Sequence, residues 1–104
     1  MGSNSVDSLS LPSEFWRRSD VLSALKDRDM GAFFRLIRRH SGRSQVEIGR
    51  AVGMDQANVS KVMNGSRGIE SLDVFERIAS GTAMPDSARM LMGIAPMDAP
   101  SRTG

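Results

Sequence analysis

The sequence predicts an all-α domain of five to six short helices. Three observations carry that expectation. Apolar residues recur at helical spacing, and glycine or small polar residues stand where helices should stop, with serine or aspartate where they should start. No stretch alternates with strand period over more than a few residues, so no sheet is expected. A chain of 104 residues has the size of one domain. That domain is placed over residues 13–94, between a Ser- and Asn-containing tail at 1–12 and a Pro-containing tail or linker at 95–104.

The elements follow in order. A first helix is expected over Asp20–Arg28 behind a Ser19 cap, and a second over Met30–Ser41 between Asp29 and Gly42. Phe33, Leu36, Ile37 and His40 then share one face of the second helix. Ser44 to Glu47 spells a capping box, in which hydroxyl and carboxylate each satisfy an orphan backbone donor, so a third helix starts there and stops at Gly53. Asp55 caps a fourth, which Gly65 terminates. A fifth is expected over Leu72–Ser80 with Leu72, Phe75, Ile78 and Ala79 inward, and a sixth over Pro85–Met92 with proline at the favoured first position.

Composition removes several function classes. Hydrophobic residues make up 39% and charged residues 25%, ordinary values for a globular chain, and no apolar run approaches the roughly 20 residues that span a bilayer. There is no cysteine and no basic-then-apolar leader, so a cytoplasmic location is expected. His40 is the only histidine and has no Cys, Asp or Glu at ligand spacing, so neither a metal nor a cofactor is expected. Ser60 has no base beside it, and no constellation of titratable residues suggests an enzyme.

The net charge of +2 hides an uneven distribution. Arg17 to Arg67 holds eleven Lys or Arg against five Asp or Glu, whereas the remainder holds three against seven. A basic middle suits a polyanion and the release of its counterions, and it equally suits a solvated helical surface. Phe15 and Trp16 read as a packing anchor, although such a pair also stacks on bases. Four of the eight methionines lie between Met84 and Met97, where they fill a core or form an adaptable surface around Met90, Leu91 and Met92.

Gln45 to Asn64 is the most informative stretch. Two short helices with only Gly53 and Met54 between them must meet at a steep angle, and Gly49 lets them approach closely inside that corner. Ile48, Val52, Met54, Val59 and Val62 point inward, while Gln56, Ala57, Asn58 and Lys61 remain on the outer face of the second helix. Core packing does not require those outward choices.

The string SQVEIGRAVGMDQANVSKVMNG resembles the helix-turn-helix of the Cro and phage-repressor family, the xenobiotic-response-element type, over roughly residues 30–79. The wider run FWRRSDVLSALKDRDMGAFFRLIRRHSG resembles the N-terminal domain of a group of actinobacterial regulators, in which a longer helical-repeat region follows. The resemblance implies a lambda-repressor-like fold and a bacterial transcription regulator that binds double-stranded DNA, as a homodimer on a two-fold site. It further implies that Gln45 bonds a phosphate and braces Gln56, which reads a base edge from the helix over residues 56–63. Lys61 would take guanine or a phosphate, and Ala57 a thymine methyl group. Arg43, Ser44, Asn58, Asn64 and Arg67 would hold the DNA backbone.

Two positions depart from that pattern. Relatives pair an arginine at the place of Arg38 with a glutamate at the place of Met63, so Arg38 is expected to be free for phosphate here. Asp55 would repel DNA unless capping holds its carboxylate. A further C-terminal domain or protein partner is also expected. The rival reading is a protein-interaction adaptor or antitoxin-like module that keeps the fold without binding DNA.

Overall fold

Each helix turns an apolar stripe toward one shared core, and the packing of those stripes decides where the helices begin and end. The computed structural model describes residues 9–96, which contain seven helices and no strand. These are α1 (Ser13–Arg17), α2 (Ser19–Lys26), α3 (Met30–Ser41), α4 (Gln45–Val52), α5 (Gln56–Met63), α6 (Leu72–Gly81) and α7 (Asp86–Leu91). The architecture is all-α, as expected, and compatible with a lambda-repressor-like fold. α3 contributes the fully buried Phe33, Phe34 and Ile37, which join Ile48 and Val52 of α4, Val59 and Val62 of α5, and Phe75 and Ile78 of α6. α5 packs on both α3 and α4, α4 also packs on α6, and α2 bridges α3 and α7.

The extra helix is α1. A single turn does not sustain itself in water, so its existence depends on Phe15, which is buried with its ring at 87° to that of Trp16 and tilted against Phe33. The aromatic pair is therefore a packing anchor. Leu9 is also buried, and its N–H donates to the Gly81 carbonyl at 2.7 Å, so the packed unit starts earlier than residue 13. The rest of the expected tails, residues 1–8 and 97–104, lies outside the described residues.

Several further expectations are corrected. α2 starts at Ser19 and has no side-chain cap, because the residue at the cap position is Arg18, whose guanidinium has no acceptor and donates to the Asp20 carboxylate at 3.1 Å. It also ends before Arg28, whose φ of 55° is left-handed. That conformation is held by distant contacts: the guanidinium lies 5.3 Å from the centre of the Phe75 ring, and Nε donates to the Met92 carbonyl at 2.8 Å. Leu72 is 59% exposed rather than inward, since it opens α6 where the chain still runs along the surface, and Val74 packs on the core in its place. His40 is likewise exposed, resting against the edge of Phe15 at the end of α3. α7 begins one residue later than expected, with Pro85 as its cap.

The corner between α4 and α5 is tightly packed. A Cβ placed on Gly49 would collide with the Met54 carbonyl oxygen and press on a methyl of Val59. Gly53 closes α4 with φ 75°, a conformation that side-chain-bearing residues rarely adopt. Gly49→Ala is expected to destabilise the domain by about 1–3 kcal/mol through overpacking, read as a fall in the midpoint of thermal unfolding. An unchanged midpoint would show that the corner is not tightly packed.

Candidate nucleic-acid interface

The capping expected for α4 is present in full. The Ser44 hydroxyl accepts from the Glu47 N–H at 3.1 Å, and the Ser44 N–H donates to the Glu47 carboxylate at 2.8 Å. That backbone bond holds the Glu47 carboxyl below the ordinary carboxylate value, partly opposed by desolvation and aided by the charge of Arg43. Arg43 lies 3.8 Å from the Glu47 carboxylate, so it stands beside Ser44 at the start of the helix.

α5 is capped by Asp55, whose carboxylate accepts from the Asn58 N–H at 2.8 Å. The acidic group is thereby held back by its own helix, which is the condition the sequence set for it. Val59 and Val62 are buried, so Gln56, Ala57 and Lys61 are left exposed. Gln56 opens the helix and donates from Nε2 to Oε1 of Gln45 at 2.7 Å, the brace expected between these two residues. The other end of the Gln45 amide faces Sδ of Met63 at 3.6 Å.

The loop after α5 folds back on the helix. Ser66 and Arg67 both donate their N–H to the Lys61 carbonyl, and the Asn64 side chain accepts from the N–H and hydroxyl of Ser66. These bonds bring the Arg67 guanidinium to Oδ1 of Asn58 at 3.1 Å. Asn58 and Arg67 therefore form a pair, and Asn64 organises the turn between them.

Arg38 is exposed and its side chain makes no hydrogen bond or ion pair among the described residues. It lines a shallow recess of about 290 Å³ with Arg35, Arg39 and Met63, and Arg35 donates to the Met63 carbonyl. Arg35 and Arg39 were missed in the sequence. The spacing of the three arginines by three and four residues on one helix was the available signal for both. Among the described residues no group of three or more His, Asp or Glu could hold a metal, and no helix is long and apolar enough to cross a membrane.

Two short helices joined by a tight turn, the second keeping a polar face in solvent, define a helix-turn-helix protein. The sequence model of the helix-turn-helix domain family matches residues 29–91, more than half of the chain, and the chain belongs to that family. Membership points in general to a DNA-binding regulator and is consistent with the Cro and repressor-like type. No curated protein and no solved structure matches the chain.

Two measurements test the capping of this surface. Asp55→Ala should lower stability by about 0.5–2 kcal/mol in denaturant unfolding, by stranding the Asn58 N–H; a variant as stable as the parent would show that the cap contributes nothing. Glu47 has a depressed pKa in the folded state, so its contribution is present above the ordinary carboxylate range and lost as the pH falls through the folded value. The difference in unfolding midpoint between the parent and Glu47→Gln should accordingly be largest near neutral pH and shrink in acid. A difference that stayed constant with pH would contradict the assignment.

Proposed function

We propose that this protein is a bacterial transcription regulator that recognises specific duplex DNA by inserting α5 into the major groove. The observation that carries this reading is the Gln45–Gln56 bond, which holds an exposed glutamine at the leading end of a helix whose other face is buried. A glutamine so held can make a bidentate contact to adenine, worth about 1–3 kcal/mol of discrimination. Ala57 and Lys61 lie further along the same exposed helix and would meet a thymine methyl and a guanine edge or phosphate.

The backbone contacts fall to Arg43 and Ser44 before α4, to Asn58, Asn64 and Arg67 around the end of α5, and to Arg38 on α3. Gln45 uses one N–H of its side-chain amide toward Met63 and its Oε1 toward Gln56, so its phosphate contact would come from the second side-chain N–H or from its backbone N–H at the start of α4. Such contacts fix register without reading sequence. A lone module of this kind buries only about 600–1,000 Å² on DNA, which favours a homodimer on a two-fold site. The exposed Met90 and Leu91 of α7, 61% and 40% accessible, offer a surface for that contact or for a protein partner, as the adaptor reading requires. A cytoplasmic, nucleoid-bound location goes with DNA binding.

Titration with duplexes selected from a random library, at several salt concentrations, separates these roles. Gln56→Ala should relax sequence preference, whereas Arg67→Ala should weaken all sequences alike and reduce the salt slope by about 1. No duplex binding by the parent even at low salt, together with a stable complex with a protein partner, would favour the adaptor.

A further inference from the structure

Gln45 joins two side chains of α5: Oε1 accepts from Gln56, and Nε2 lies 3.6 Å from Sδ of Met63. The two contacts are chemically linked. A thioether sulfur carries lone pairs and no hydrogen, so the group of Gln45 that faces it must be the NH₂. The carbonyl oxygen then necessarily points the other way, toward Gln56, which must answer with its own NH₂. One N–H of Gln56 is consumed in that bond. Its second N–H and its Oε1 remain, a donor beside an acceptor, which matches N7 and N6 of adenine.

A reversed Gln45 would have the opposite consequence. It would donate to Oε1 of Gln56, which keeps a second lone pair, and would turn the NH₂ of Gln56 to the opposite side. Donor and acceptor then exchange places, and an N–H rather than the oxygen faces the base position where adenine has its N6 donor and guanine its O6 acceptor. The neighbours of Met63 do not replace its sulfur, because the recess beside it is lined by Arg35, Arg38 and Arg39, whose guanidinium groups donate and do not accept. The backbone of Met63 is held in place as well, since its carbonyl accepts from Arg35.

We infer that Met63 is a positioning residue whose sulfur decides which end of the Gln45 amide faces Gln56, and thereby the order of donor and acceptor that Gln56 offers to a base. The inference rests on Gln56 being a base reader. Met63 itself touches no DNA in this scheme.

The test compares the parent with Met63→Leu, which keeps an apolar side chain of similar size and removes the lone pairs. Duplex selection should give adenine opposite Gln56 for the parent. Met63→Leu should lower the preference for adenine over guanine about threefold to tenfold, with unchanged thermal stability and unchanged affinity for random-sequence duplex. Adding Gln45→Glu to Met63→Leu should restore the adenine preference, because a carboxylate only accepts. In the free protein, through-space NMR contacts should connect the Met63 methyl with the Gln45 NH₂ protons. Parental discrimination in Met63→Leu, a parent that selects guanine at that position, or absence of the NMR contact would each overturn the inference. If Gln56→Ala selects the same duplexes as the parent, the base-reading role fails instead, and the NMR contact alone decides whether Met63 orients Gln45.

Discussion

The outward surface of this protein depends on how closely α4 and α5 approach at Gly49 and Met54. Without a side chain at position 49 the Met54 carbonyl sits against the α4 backbone, and the left-handed Gly53 turns the chain within two residues. That short turn leaves α5 no freedom to rotate about its axis once Val59 and Val62 are buried between α3 and α4. Its polar residues are consequently displayed as a set. A longer or looser connection would bury the same valines with α5 at other tilts, and the outward residues would lose their common direction.

Around that corner the polar groups are satisfied by one another before any ligand arrives. Asp55 serves the Asn58 N–H, Asn58 accepts from Arg67, and Asn64 and Ser66 close the following loop. On the other side Arg35 reaches across from α3 to the carbonyl of Met63 at the C-terminal end of α5, where a cation is also favoured by the helix dipole. Side chains already ordered in the free protein lose little further entropy on binding, so a surface of this kind suits a partner with fixed spacing. Exposed ion pairs such as Arg43–Glu47 contribute little to stability by themselves.

The C-terminal part of the fold is built on a different interaction. Arg89 is only 3% exposed, yet it reaches Glu76 of α6 at 2.6 Å and donates from Nε to the Ala95 carbonyl at 2.8 Å. Its Nη1 is buried without a hydrogen-bond partner. A buried guanidinium in this state adds little net stability compared with an apolar side chain, and its clearer effect is to hold the chain after α7 in one direction. Met90 and Leu91, next to Arg89 in α7, are left in solvent.

What the sequence by itself determined are the features set within a few residues: the capping box at Ser44 and Glu47, the Asp55 cap, the glycine turn, and the inward and outward faces of α5. Each follows from hydrogen bonds or periodicity over three or four positions, and the bond between Gln45 and Gln56 was legible because the motif resembled a known one. Tertiary structure decided the rest. Phe15 makes α1 a helix by packing on Phe33, Arg28 holds a left-handed backbone because Phe75 and Met92 lie beside it, and Leu72 stays in solvent where its helix period alone would bury it. The contact between the Gln45 amide and the Met63 sulfur belongs to this second group, since the two residues lie 18 positions apart in the chain. Local propensity carries no information about contacts at such separations, because they exist only after the helices have packed.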